Sequence, residues 1–222
     1  MEEAELVESM VLAASRELRV PITVKIRVFP DIDRTIRFAK MLENAGASAL
    51  TVHGRTRSQT HHEGKCDWNA IRQVKEALRI PVIANGGMNR TLDDVKACLE
   101  ATGADAVMCA IGLLLDPHMF KGLKEQPDPV ALILEYLEVA QSLETTPPPN
   151  MRDHAKMLLR PLICPSYYNR GSDTDEHADL WNLTCCNQVV SAQQLRWLVE
   201  WFAIRTCHPL APQPPAPQPP PL

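Results

Sequence analysis

The chain has 222 residues, 45% of them hydrophobic and 23% charged, which suits a soluble globular protein with one large or two modest domains. No apolar run approaches the ~20 residues of a membrane helix, and the acidic start Met1-Glu-Glu-Ala-Glu5 is unlike a signal peptide, so a cytoplasmic protein with no membrane partner is expected. A formal charge of −4 excludes a protein that coats nucleic acid by bulk attraction; any RNA contact must come from a local patch.

Residues 2 to 18 read as a helix with Leu6, Met10, Ala13, Ala14 and Leu18 on one face and acids on the other, ended by Pro21. Ile22 to Val28 is a β-branched strand in which Lys25 and Arg27 share a face, because strand side chains alternate. Asp31 caps a helix carrying Ile32, Ile36, Ala39 and Leu42 inward, and Gly46 is its left-handed stop. A second strand, Ala49 to His53, ends in the polar turn His53-Gly-Arg-Thr-Arg57; Asp67 then caps a helix bearing Ile71, Val74 and Leu78. The third strand is Ile80 to Ala84. Its continuation Asn85-Gly86-Gly87 brings backbone N–H groups forward with no Cβ in the way, and Thr91 with Asp94 forms a capping box for a helix ending near Gly103. Asp105 to Ala110 is the fourth strand.

Strand centres at Val24, Thr51, Val82 and Val107 are 27, 31 and 25 residues apart, near the ~30 of a βα unit in an eight-stranded barrel. The fold class is therefore α/β, read as the last four βα units of a TIM barrel, with the other four expected ahead of this sequence; a small doubly wound sheet is the alternative. Beyond Phe120 the pattern turns helical. Asp128-Pro129 starts a helix to about Leu143, Pro147 to Pro149 breaks it, Met151 to Ile163 is a second, and Ser191, boxed by Gln194, opens a third to about Thr206. The proline-rich end is a disordered tail with an SH3-type partner as its outside use. The resulting division is 1–122, a partial barrel; 123–206, a helical domain; and 207–222, the tail.

Lys25, His53 and Asn85 stand at the carboxyl ends of successive strands, where barrel enzymes keep their sites. With Gly86 and Gly87 they fit a flavin mononucleotide: an ammonium suits the negative charge that a reduced flavin carries near N1 and O2, and glycine-turn N–H groups suit its phosphate. Arg152, Lys156 and Arg160 form an i, i+4, i+8 cationic stripe suited to a nucleic-acid backbone. Trp197 and Trp201 are read as core. The seven cysteines, odd in number and lacking a C-x-x-C pair, read as reduced structural thiols, and His61-His62 near Cys66 match no standard zinc spacing, so no metal is expected.

Pro21-Ile-Thr-Val-Lys-Ile-Arg27, Thr51-Val-His-Gly-Arg-Thr-Arg57, Gly64-Lys-Cys-Asp-Trp68, Pro81-Val-Ile-Ala-Asn-Gly86 and Asp105-Ala-Val-Met108 resemble the successive motifs of the tRNA-dihydrouridine synthases. The stretches Val28-Phe-Pro-Asp-Ile-Asp-Arg-Thr-Ile-Arg37 and Met41-Leu-Glu-Asn-Ala-Gly46 resemble the eukaryotic branch that acts at positions 16 and 17 of the tRNA D-loop. The resemblance covers about residues 5 to 160. It implies an FMN-dependent TIM barrel with a small helical tRNA-binding domain, reduction of the uracil C5–C6 bond, and NADPH as reductant. It makes Lys25, His53, Asn85, Gly86, Gly87, Ala110 and Ile111 flavin contacts, Arg152, Lys156 and Arg160 tRNA contacts, and the protein a monomer. Three departures stand out. The family's uracil-protonating cysteine belongs to the first barrel half and has no counterpart here. Gly87 replaces an Asp or Asn, and Ala110-Ile111 replaces a Gly-Arg pair, which leaves the phosphate to backbone N–H groups with Arg55 or Arg57. The chain alone is therefore expected to be slow or inert. A non-catalytic tRNA- or partner-binding form and a different FMN barrel, of the dihydroorotate-dehydrogenase or old-yellow-enzyme kind, are the rivals.

Overall fold

The computed structural model describes residues 3–59, 65–88, 91–121, 128–143, 146–163 and 191–205. His61-His62, the cysteines beyond Cys109 and the proline-rich end lie outside them. The chain divides into two compact units, Met1–Gly112 and Leu113–Leu222.

The first unit runs α1 (Ala4–Glu17), β1 (Thr23–Arg27), α2 (Ile32–Asn44), β2 (Ala49–His53), α3 (Trp68–Ala77), β3 (Val82–Asn85), α4 (Leu92–Thr102) and β4 (Ala106–Met108), with α5 (Ile111–Leu115) beginning at its end. The four strands form one parallel sheet in the order β1-β2-β3-β4. Helices alternate with strands, as a parallel sheet requires of its crossovers. Ile26, Leu50, Val52, Val82 and Ala84 are buried on the face that α2, α3 and α4 pack against. The opposite face carries Lys25, Arg27, Thr51, His53, Ile83, Asn85, Ala106 and Met108; of these Thr51 and Asn85 are buried and Lys25, Ala106 and Met108 are exposed. Below the sheet, one oxygen of Glu43 accepts from the N–H groups of Arg79 and Ile80, and one oxygen of Asp105 accepts from Val82 N and Lys75 Nζ, so the entry to β3 is held by two carboxylates.

The helix starts follow from their caps. Asp31 accepts from Asp33 N, Asp67 from Ala70 N, and Thr91 with Asp94 closes a reciprocal box. Two faces differ from expectation. Leu6 and Met10 of α1, and Leu18 just after it, are more than half exposed; α1 packs on α2, with Val11 buried and the Ser15 hydroxyl donating to Ala45 O, and the Leu6–Met10 stripe turns away. In α2 the buried set is Thr35, Phe38, Ala39 and Leu42, with Ile32 and Ile36 only half-buried. Thr35 goes inside because its hydroxyl is satisfied on both sides, accepting from Phe29 N at 2.9 Å and donating to Asp31 O at 3.1 Å. β3 also sits later than the apolar run suggests, starting at Val82 and including Asn85.

The second unit holds a 3-10 turn (Met119–Lys121), α6 (Pro129–Ser142), α7 (Pro148–Ile163) and α8 (Ala192–Arg205). Pro148 and Pro149 open α7 rather than separating it from what precedes, because the first turn has no N–H partner to lose. Val130, Ile133, Leu137, Ala155, Leu159, Leu195, Val199 and Phe202 form the core of these three helices. Trp197 and Trp201 pack against that core and stack on each other, ring centres 5.9 Å apart.

Candidate functional site

Strand register sets the site. Arg27 pairs with His53, His53 with Asn85 and Asn85 with Met108, so these residues form one row across the carboxyl ends of the sheet, on the face opposite the buried Ile26, Val52 and Ala84. Lys25 lies one row below, level with Thr51 and Ile83. The row exists because parallel strands of matched register bring every second side chain to the same side at the same height.

The row is electropositive. His53 is pushed down to about 4, first by burial and then by the charges of Arg27, Lys25 and Arg55. Its Nε2 is 3.4 Å from Arg55 Nη1; because a guanidinium only donates, Nε2 is the acceptor and the imidazole is neutral. Lys25 is held below the usual lysine range by partial burial and by Arg27. Arg27 is committed: its Nη1 donates to Thr56 O and Gln59 O, each at 2.8 Å, which fixes the turn after β2. Arg55 is buried against this row, whereas Arg57 lines a separate cleft with Phe29 and Arg34.

Asn85 is also committed, since its Nδ2 donates to Met108 O at 2.7 Å. Gly86 and Gly87 have φ of +96° and +83°, backbone that only glycine adopts at low cost. A Cβ on Gly86 would stand 2.6 Å from His53 Cδ2, and one on Gly87 2.9 Å from Trp68 Nε1. The glycine pair therefore makes room for protein side chains as well as opening the turn. Trp68 Nε1 donates to Gly86 O at 3.1 Å, and Cys66 lies over the same turn, its thiol raised chiefly by burial. Ala110 is exposed and Ile111 begins α5, just past the end of β4. Cys66, Cys98 and Cys109 are free thiols.

Lys25, His53, Asn85, Gly86 and Gly87 are thus brought to one rim, with Ala110 and Ile111 following the next strand. The signals that sequence reasoning missed are the clamp of Arg27, visible only as a shared face with Lys25, and the cover of Cys66 and Trp68 over the glycine turn, which no local pattern carries. Arg152, Lys156 and Arg160 belong to the second unit. The Arg152 and Lys156 side chains are only 12% and 19% exposed, and Asp153 lies 3.4 Å from one and 3.6 Å from the other, so the stripe is partly neutralised.

Comparison with known proteins bears on this arrangement. The sequence model of the family described as dihydrouridine synthase (Dus) matches residues 1–149. A rat tRNA-dihydrouridine(16/17) synthase-like protein is 46% identical over 141 residues, 63% of this chain and 32% of that protein. The tRNA-dihydrouridine(16/17) synthase of Saccharomyces cerevisiae is 33% identical over 174 residues, 73% of this chain and 41% of the yeast protein. A human tRNA-dihydrouridine(20a/20b) synthase-like protein is 37% identical over 144 residues, 64% of this chain and 44% of that protein. The chain spans less than half the length of each of these relatives.

Proposed function

The chain belongs to the dihydrouridine synthase family, and from that premise we propose that it carries the flavin seat and tRNA-facing helices of a cytoplasmic, monomeric synthase that reduces uridine to dihydrouridine at D-loop positions 16 and 17. The observation that carries this reading is the row Arg27–His53–Asn85–Met108 at the carboxyl ends of the strands, with Lys25 directly below it.

The residues present fit an FMN. Lys25 offers a cation to the N1–O2 edge, one that burial and Arg27 hold below the usual lysine range. His53, neutral and held by Arg55, offers a hydrogen-bonding ring rather than a second charge. Backbone N–H groups of Gly86, Gly87, Ala110 and Ile111 are assigned to the phosphate, and Asn85 holds β3 and β4 together beneath it. When bound, the flavin supplies the two-electron reduction of the uracil C5–C6 bond, with NADPH as the external reductant. The chain's own part is to bind, to keep positive charge at one edge and to shape the rim. The uracil proton at C5 calls for a general acid, a role that none of the rim residues named above is assigned. The target base leaves its stack to reach the rim, and Arg152, Lys156 and Arg160 contact the tRNA backbone.

The test is to purify the chain, record its flavin absorbance and assay dihydrouridine in unmodified tRNA. Yellow protein that shifts tRNA on a gel supports the reading. Colourless protein that still shifts tRNA rejects the flavin assignment and leaves a non-catalytic binding form.

A further inference from the structure

The two sides of the Gly86–Gly87 turn are unequal. On one side Cys66 and Trp68 close over it: a Cβ on Gly87 would stand 2.9 Å from Trp68 Nε1 and 3.1 Å from Cys66 Cβ, and one on Gly86 3.0 Å from Cys66 Sγ. That side is filled by protein. The peptide joining the two glycines has no side chain on either flank to resist its rotation, and both residues already sit at positive φ, so its plane turns at little cost unless something outside the turn holds it.

Trp68 holds it. The half-buried indole donates from Nε1 to Gly86 O at 3.1 Å. A trans peptide is planar, with its carbonyl and its N–H pointing in opposite directions. Drawing the Gly86 carbonyl toward the indole therefore turns the Gly87 N–H to the uncovered side. Among the described residues no hydrogen bond takes that N–H. The indole is itself anchored: Trp68 is the first residue of α3, Asp67 caps that helix by accepting from Ala70 N, and Asp67 N donates to Gly54 O at 2.7 Å, which ties the start of α3 to the turn after β2.

We propose that Trp68 is a positioning residue for the phosphate end of the cofactor: its ring N–H acts through the Gly86 carbonyl and fixes the Gly86–Gly87 peptide with the Gly87 N–H aimed at the phosphate. Trp68 carries no charge, so its effect on an anion comes from the direction of a backbone dipole alone. The inference rests on the flavin seat proposed above and adds to it the group that favours a phosphorylated flavin over an unphosphorylated one.

Flavin fluorescence follows FMN and riboflavin titrated separately into the full chain; riboflavin has the same ring system and sugar-alcohol chain without the phosphate. Trp68→Phe keeps an aromatic ring and removes the N–H. It is expected to weaken FMN by about tenfold and to leave riboflavin within about twofold of wild type, so the preference for the phosphorylated form falls. A merely structural role would weaken both flavins alike. Trp68→Tyr, which fills more of the space and has no ring N–H, decides the case if circular dichroism shows Trp68→Phe unfolded. The proposal is overturned if wild type does not prefer FMN to riboflavin, if a folded variant keeps the wild-type ratio of the two affinities, or if neither variant folds. A wild-type chain that binds neither flavin rejects the flavin seat, and inorganic phosphate then tests the turn by itself in spectra of glycine-15N-labelled protein. A phosphate-dependent amide shift present in wild type and lost in Trp68→Phe leaves the role of Trp68 standing; a shift absent from wild type or unchanged in the variant overturns it.

Discussion

The side-chain amide of Asn85 donates to the backbone carbonyl of Met108 at 2.7 Å, so the residue that ends β3 also fastens β4. Asn85→Ala removes the donor of this part-buried hydrogen bond and is expected to cost about 0.5–1.5 kcal/mol. Asn85→Asp is expected to cost more at neutral pH, because a carboxylate then faces a carbonyl oxygen, and to recover part of the loss in acid, where the protonated group again donates. Urea unfolding followed by tryptophan fluorescence at two pH values checks both the order and its pH dependence.

One guanidinium nitrogen of Arg27 donates to two carbonyls of the turn after β2, and a lysine, one bond shorter and without a planar head to fix its donors, does not reproduce that geometry. Arg27→Lys is expected to speed amide hydrogen exchange across 56–59 while leaving exchange in α3 unchanged. Uniform acceleration would mean that the clamp holds the whole sheet rather than the turn.

Most of the architecture is legible because its causes are local. Asp31, Asp67, Thr91 with Asp94, Asp128, and Ser191 with Gln194 all cap where their spacing says they should, since a cap and its N–H lie within three residues. The failures are tertiary. Periodicity puts Ile32 and Ile36 inward, but Thr35 takes the buried place because Phe29 N comes to its hydroxyl. An apolar stripe on α1 predicts a buried face and finds Leu6 and Met10 exposed. At the site, Lys25 and His53 are legible from alternation, whereas Trp68 bonding to Gly86 O, 18 residues away, leaves no periodic trace.

His53 gives a pH dependence with a definite sign. Its folded value of about 4 lies below the ordinary 6.5, so between those values the unfolded chain binds more protons and stability falls as pH drops through that window. His53→Asn lacks this titration. The loss of stability between pH 7 and pH 4 is expected to be smaller in the variant than in wild type, measured as the difference in urea midpoints at each pH.

Asp153 lies beside both Arg152 and Lys156, so it competes with any phosphate for them. Asp153→Asn is expected to tighten tRNA binding, and Lys156→Ala to weaken it while lowering the salt slope of log K by about one. Binding isotherms over a range of salt concentrations check both, and equal slopes for wild type and Lys156→Ala would remove Lys156 from the interface.

The flavin seat is tested most directly by titrating FMN into the full chain and following quenching of flavin fluorescence, wild type against Lys25→Met. Saturable quenching that Lys25→Met weakens by about tenfold is the predicted result, a loss of about 1.4 kcal/mol. No saturable quenching by wild type, or identical curves for the two proteins, would contradict it.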